Sequence, residues 1–427
     1  MDVQEILKKV EQAEVPKVTK VAVAFSGGLD STLGIEMLRR KYKAQEFVAI
    51  CIDVGQGADE IVEARRKAKL LKFEKDMVLI DAKAEFTGEW LTKAIRANAD
   101  YNGYPVSTSM TRQLVARIVA VEGAKRGCDA VMEGSTGKGN DQYRMHNTFK
   151  LFAPRMEVLA FVRDFDLTRK EEEAICVEWG VPVKEQLTGG DDKTMWCRSI
   201  ASGAIDLNQE LPDDIWQWLV PPRKASDKGE SITLRYIEGI PVELNGKTLP
   251  LDEVINQLNV IAGRNGVGYI DMFEDGIMDL KSREIYEAPA AHVILKLHRD
   301  LEQQCLPKEE IQFKKTVDAK WAYMTYHGEW YHPLKADLDA FIAQSQKPVN
   351  GTFKVDLYKG NIVITGREAP TSLFTPEIRS IKSRGFDQRW SVNAAKIRGI
   401  PFEILSKRNA VLEAMQKPAT KAKGKKA

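Results

Sequence analysis

Residues 24–32 read Ala-Phe-Ser-Gly-Gly-Leu-Asp-Ser-Thr and follow the apolar run Val21-Ala22-Val23. Gly27 and Gly28 let the backbone turn tightly and bring bare N–H groups close to an anion. Ser26, Ser31 and Thr32 add hydroxyl donors, and the start of the next helix adds about half a positive charge. Together these groups make a cradle for pyrophosphate. No lysine stands at the Walker spacing, so the P-loop version of phosphate binding is excluded. Asp30 has two open roles. It either orients the loop and touches a metal's hydration shell, or caps the helix that follows.

A second polar run, Gly134-Ser-Thr-Gly-Lys-Gly-Asn-Asp-Gln-Tyr-Arg144, is equally dense. Its glycines, Gly134, Gly137 and Gly139, let amides approach a phosphate or a carboxylate. Thr136, Asn140 and Asp141 can grip the charged ends of an amino acid. Arg144 can take a carboxylate in bidentate fashion.

The pattern between 19 and about 135 must position both runs. Strands are predicted at 20–25, 47–53, 77–80 and 129–132, and helices at 30–42, 58–72, 86–99 and 110–126. This alternation predicts an α/β fold with a parallel, doubly wound sheet, whose ligands bind at the carboxyl ends of strands. The Ser26 loop, Asp53-Val-Gly-Gln56 and Glu133-Gly-Ser135 all fall at such ends. An amphipathic helix is predicted in 1–18 from Val3, Ile6, Leu7 and Val10, and another helix at 169–179 stops at Gly180. The second half reads as α+β. It has an irregular link at 205–230, a hairpin over 231–250 turning at Asn245-Gly246, and helices at 251–263, 290–303 and 316–325. A second hairpin is predicted at 352–366 and a terminal helix at 391–416. Gly263-Arg-Asn-Gly-Val-Gly268 does not follow a strand with dinucleotide spacing and reads as a helix end and turn.

Composition narrows the classes. The 427 residues carry a net charge of +2, but the last eleven hold five lysines, leaving 58 basic against 61 acidic side chains in the body. The basic excess belongs to a disordered tail, and the body has no nucleic-acid face. The five cysteines form no Cys-x-x-Cys, which supports neither a zinc site nor a disulfide framework and fits a reducing cytoplasm. No apolar run reaches the roughly 18 residues of a membrane span, and the opening Met-Asp-Val-Gln-Glu lacks a signal peptide's apolar core, so neither feature is expected. No metal ligand set is expected.

The first run resembles the Ser-Gly-Gly-x-Asp-Ser loop of ATP pyrophosphatases. With the second, the chain is similar to the argininosuccinate synthases over nearly its whole length. The matching segments are Ala24–Thr32, Asp53–Gln56, Tyr104, Thr108-Ser109, Thr136–Gln142 with Arg144, Ser199, Gly266–Gly268, Ile270-Asp271, Glu274, Lys281–Arg283, Ile285–Glu287 and Lys359-Gly360. The resemblance implies that ATP adenylates the ureido oxygen of citrulline, and that the amine of aspartate then displaces AMP. It implies that Ala24, Phe25, Ser26, Gly27, Gly28, Leu29, Asp30, Ser31, Thr32, Ile52, Gly134, Thr136, Gly137, Lys138, Gly139 and Asn140 hold ATP, with Mg²⁺. Thr136, Asn140 and Asp141 would bind aspartate. Tyr104, Thr108, Ser109, Asn140, Arg144, Ser199, Glu274 and Tyr286 would bind citrulline. Asp30, Ser31, Lys138 and Asp141 would serve the chemistry. It also implies a homotetramer built on a C-terminal helix. The expected divisions are 1–18 (N-terminal helix), 19–186 (nucleotide-binding), 187–370 (synthetase), 371–416 (oligomerisation) and 417–427 (basic tail).

Departures cluster near the expected acceptor pocket. A serine expected to touch citrulline falls at Gly190, acidic and amide positions become Lys193 and Thr194, and Lys-Ser-Arg-Gly reads Lys281-Ser-Arg-Glu284. They leave a second reading open, in which another ureido, amide or carboxyl group is adenylated and coupled to aspartate.

Overall fold

Five runs of small and branched apolar residues pair as one parallel sheet in a computed structural model, which describes residues 2–182, 188–203, 205 and 211–416. Helix α1 (Val3–Gln12) leads into β1 (Lys20–Ala24), α2 (Leu29–Met37), β2 (Glu46–Asp53), α3 (Ala58–Leu70) and β3 (Met77–Asp81). Two short helices, α4 (Lys83–Glu85) and α5 (Thr92–Arg96), are joined by a wider helical turn at Phe86–Leu91. Then come α6 (Thr108–Lys125), β4 (Ala130–Glu133), α7 (Asp141–Phe152), β5 (Glu157–Ala160), α8 (Phe161–Asp164) and α9 (Arg169–Trp179).

The strand order β3-β2-β1-β4-β5 is that of a doubly wound sheet. The chain winds one way from β1 and the other way from β4, so the crevice between their carboxyl ends is the switch point where such sheets take ligands. The sequence located the first four strands within a residue or two. It missed β5, whose four residues are too few to show a period, and α7, whose polar start reads as loop. Helix α1 covers ten residues of the predicted eighteen and buries Ile6 and Val10; Pro16, which cannot continue a helix, lies just beyond its end. Helix α9 has a full capping box, Thr168 with Glu171, and stops at Gly180 in a left-handed conformation (φ 69°).

The second half holds β6 (Thr188–Lys193), β7 (Arg198–Gly203), β8 (Glu230–Ile237), β9 (Ile240–Leu244), β10 (Lys247–Thr248), α10 (Leu251–Arg264), β11 (Tyr269–Asp275) and β12 (Lys281–Glu287). Helices α11 (Pro289–Cys305), α12 (Lys308–Tyr326) and α13 (Pro333–Ser345) precede the hairpin of β13 (Gly351–Tyr358) and β14 (Asn361–Glu368). These strands form two antiparallel sheets, β10-β9-β8-β13-β14 and β11-β12-β7-β6. The predicted turn at Asn245-Gly246 exists but joins β9 to the short β10. The main hairpin turns at Glu238-Gly239, where both residues have positive φ (46° and 77°). The described part of the link before β8, 211–229, is irregular, as expected, and is tied to the second sheet by Glu287, which accepts the amides of Trp218 and Leu219 at 2.8 Å each.

Described residues up to Leu373 form one unit, and those from Phe374 another. The second contains α14 (Pro376–Arg379) and α15 (Trp390–Gln416), close to the predicted terminal helix. The basic tail at 417–427 lies outside the described residues.

Candidate active site

β1 delivers its chain to the switch point as a loop that only glycine can build. Gly27 has φ 79°, and a Cβ there would sit 2.8 Å from Ala64 Cα on α3. Gly28 is the N-cap of α2 and supplies no capping side chain. The first-turn amides of Leu29, Asp30 and Ser31 therefore have no protein acceptor among the described residues. The loop's hydroxyls hold its own backbone. Ser31 Oγ accepts from Gly27 N at 3.1 Å, Ser26 Oγ accepts from Gly28 N at 3.2 Å, and Thr32 Oγ1 donates to Gly28 O at 2.6 Å. Thr32 is fully buried, and so is the Phe25 ring, which packs edge-on against Phe73. Ala24 ends β1 and leaves the loop only its backbone.

Beneath the loop lies a cation that the sequence did not flag. Lys67 of α3, 4 % exposed, donates to Gly27 O at 2.7 Å. Free first-turn amides, an irreplaceable glycine and a buried ammonium together suit a triphosphate. Asp30 is not a helix cap, since Gly28 holds that place. Its carboxylate pairs with Arg169 on α9. Beside it, burial and the charge of Asp30 push the Glu172 carboxyl up to about 9. Across the crevice a Cβ on Gly134 would lie 2.7 Å from Asp30 Cβ, so β4 and α2 touch at the switch point. Ile52 is buried near the end of β2, and its carbonyl accepts Gln56 Nε2 at 2.9 Å.

The Gly134–Arg144 run is half loop and half helix. Thr136 Oγ1 accepts Gly139 N at 3.2 Å, Gln142 Nε2 donates to Gly137 O at 2.9 Å, and Lys138 is exposed. Asn140 is the residue before α7, and Asp141 opens it. Arg112 Nε and Arg144 Nη1 donate to the two oxygens of Asp141 at 2.7 and 2.9 Å. Burial alone would raise the Asp141 pKa, but the two guanidinium groups outweigh it and hold the carboxyl below its ordinary value. Arg144 Nε donates to Tyr326 O at 2.8 Å and Nη1 donates once to Asp141 at 2.9 Å, so a two-pronged grip on a substrate carboxylate would use the remaining N–H groups of Nη1 and Nη2.

Glu274 and Tyr286 are neither a surface acid nor a merely packed ring. Glu274 is 5 % exposed, and its carboxylate accepts the hydroxyls of Tyr326 at 2.6 Å and Tyr286 at 2.8 Å. Burial and Glu274 push both phenols up, so they remain donors. Asn140 joins this group, donating to Tyr326 Oη at 2.9 Å and accepting Ile277 N at 2.8 Å. The Tyr286 ring stacks on Tyr104 with centroids 4.4 Å apart, and Tyr104 Oη lies 3.2 Å from Thr108 Oγ1. Ser109, fully buried, has a hydroxyl with no hydrogen-bond partner among the described residues. Ser199 on β7 pairs with Tyr286 on β12 and Asp192 on β6.

The second sheet thus carries Glu274, Tyr286 and Ser199 to the head of α7. Two of the departures have structural duties. Lys193 Nζ pairs with Glu60 on α3 at 3.2 Å. Thr194 is buried, meets Ser107 Oγ at 2.8 Å and accepts Trp196 N at 3.0 Å. Arg112 also reaches Asp192 at 2.6 Å; Lys67 and Tyr326 belong to no motif. Among the described residues no group of three or more His, Cys, Asp or Glu is placed to hold a metal ion, and no helix is long and apolar enough to cross a membrane.

Residues 20–182 match the family description "Arginosuccinate synthase N-terminal HUP domain", and residues 190–405 match "Arginosuccinate synthase C-terminal domain". Similar curated proteins named argininosuccinate synthase include one from Methanopyrus kandleri, 38% identical over 92% of this chain and 100% of that one. Another, from Methanococcus maripaludis, is 41% identical over 90% of this chain and 98% of its own. One from Pyrococcus furiosus is 38% identical over 89% of this chain and 93% of its own.

Proposed function

This chain belongs to the argininosuccinate synthase family, and on that premise we propose how its residues divide the reaction of ATP, citrulline and aspartate to argininosuccinate, AMP and pyrophosphate. It is an ATP-dependent ligase. The ureido oxygen attacks the α-phosphorus and pyrophosphate leaves. The aspartate ammonium gives up a proton, and its free amine then attacks the ureido carbon and AMP leaves. The ureido oxygen is a weak, uncharged nucleophile and the triphosphate it attacks is an anion, so positioning and charge neutralisation carry the catalysis.

One observation carries this assignment. The bare amides after Gly28 and the head of α7 face one crevice, with Gly134 touching Asp30 between them. Ala24–Thr32, Gly134 and Thr136–Asn140 hold the triphosphate, Lys67 sets the loop's charge from below, and Ile52 flanks the adenine. Mg²⁺ bound with the triphosphate would neutralise phosphate charge. Lys138, exposed, pairs with the phosphates, while Ser31 and Asp30 keep the loop in shape. Asp141, held ionised by two arginines, takes the aspartate ammonium, with Thr136 and Asn140 beside it. Glu274, Tyr286, Tyr104, Thr108, Ser109, Ser199 and Arg144 Nη2 surround the citrulline head. We assign 1–18, 19–186, 187–370 and 371–416 to the N-terminal, nucleotide-binding, synthetase and oligomerisation segments. A homotetramer is supported by α15, which buries none of its residues. A cytoplasmic setting is supported by five cysteines that are all free and buried.

Citrulline labelled with ¹⁸O in its ureido group tests the reaction. Incubation with ATP, Mg²⁺ and aspartate is expected to give argininosuccinate and AMP carrying the label, read by mass spectrometry. Unlabelled AMP, or turnover only with another acceptor, would overturn the assignment.

A further inference from the structure

Two of the departures noted in the sequence, the glycine at 190 and the carboxylate at 284, meet in one row of the second sheet. Gly190 pairs with Ala201, Ala201 with Glu284, and Glu284 with Met272. The neighbouring row runs Asp192, Ser199, Tyr286, Ile270. Residues two apart on a strand share a face, so both rows project on the side where Tyr286 holds Glu274. Adjacent strands are about 4.8 Å apart, so Gly190 and Glu284 are separated by about 10 Å, with only the Ala201 methyl between. A glutamate side chain covers about half of that span. The acid at 284 thus shares a row and a face with position 190, which has no side chain.

The charges around Glu284 decide what it can hold. Ser282 on its own strand, Glu274 on β11, Asp192 on β6 and Arg144 on α7 all act on its carboxyl. Tyr286 on β12 also feels it. Arg112 and Arg144 bond Asp141, and Arg112 also bonds Asp192. Glu274 is bonded by hydroxyls and an amide, and neither Glu274 nor Glu284 has an ion pair among the described residues. Four carboxyl groups therefore meet two guanidinium groups, and once Glu284 is ionised the excess negative charge favours a cation.

We propose that Glu284 is a specificity-determining residue that binds the α-ammonium of the ureido amino acid together with Glu274, replacing the hydroxyl missing at position 190. This rests on the functional assignment above. Burial, and then the charge of Glu274, push the Glu284 carboxyl up to about 8 in the free protein. An ammonium binds the ionised form. Affinity for the ureido substrate therefore rises as pH increases through about 8.

Steady-state kinetics on the full chain and on E284Q, E284G and E284G with G190S test this, with citrulline and with 5-ureidopentanoate, which lacks the ammonium. E284Q and E284G are expected to raise KM for citrulline about tenfold, with KM for ATP and aspartate unmoved and little change in kcat. They also flatten the rise in affinity between pH 7 and 9 and reduce the preference for citrulline over the des-amino analogue about tenfold. Adding G190S to E284G recovers part of the loss. An unchanged KM and pH profile in E284Q, an equal rise in all three KM values, or no recovery by G190S would overturn the proposal. Absence of citrulline turnover by the unsubstituted chain would instead remove the functional assignment, and is read before any variant is made.

Discussion

Single buried side chains place charge and titratable groups behind the Gly27 loop. Lys67 sits beneath Gly27 with its ammonium on the loop's carbonyl, at 2.7 Å. A buried charge-assisted hydrogen bond contributes about 1.5–3 kcal/mol, and its loss both loosens the loop and removes a cation from beneath the proposed phosphate site. Lys67→Met is therefore expected to raise KM for ATP roughly tenfold or more, about 1.4 kcal/mol per decade, with KM for citrulline little affected. An unchanged ATP dependence in steady-state kinetics would sink the role given to Lys67. Glu172 makes a second case. Its folded pKa of about 9 lies above the ordinary carboxyl value, because burial and Asp30 disfavour its charge. Such a group binds its proton more tightly folded than unfolded. It lends stability that is full below about pH 4.5 and is lost as pH rises through about 9. Thermal melts from pH 5 to 9.5 should show Glu172→Gln flattening the decline seen in the unsubstituted chain. Parallel curves would show that Glu172 does not cause it.

At the scale of elements, the second sheet reaches the site because its ends are fixed by close backbone contacts. Gly268, just before β11, has φ 106°, and a Cβ there would fall 2.4 Å from Pro289 Cα at the start of α11. No side chain fits without moving one of these elements. Gly268→Ala is expected to cost about 3 kcal/mol or more of stability, from left-handed strain and overpacking. It should also weaken citrulline binding, since β11 carries Glu274; equilibrium urea unfolding with the citrulline KM measures both. How much of each element could be read beforehand follows from where its partners lie. β1 with its loop was legible because glycine geometry, hydroxyl donors and a helix start are local properties. β6, β7, β11 and β12 were not. Residues such as Asp191, Arg198, Asp271 and Arg283 look like solvated charges, yet they pair across the sheet, Arg198 with Asp191 and Arg283 with Asp271. Tyr326 was invisible for the same reason. It lies 182 residues from Arg144, whose Nε it accepts.

At the scale of the whole molecule, α15 is a 27-residue helix in which no residue is buried. Ile397, Ile400, Ile404, Val411 and Met415, spaced by three, four, seven and four, run along one side, and each is at least half exposed. A soluble helix with such a stripe pairs with another surface, because leaving it in water forfeits about 25 cal/mol per Å² of apolar area. Pro401 interrupts the hydrogen-bond ladder without ending the helix, which is more readily tolerated where packing supplements the helix's own bonds. The proposed homotetramer gives this stripe its partner. Ile400→Asp with Ile404→Asp would place two carboxylates in the apolar seam, where an unpaired charge is costly to bury. Sedimentation velocity is then expected to move the chain from tetramer to smaller species, with the parallel sheet of the first unit still folded by circular dichroism. If the variant sediments as the unsubstituted chain does, α15 does not build the assembly, and its apolar stripe must be covered by something other than copies of this chain.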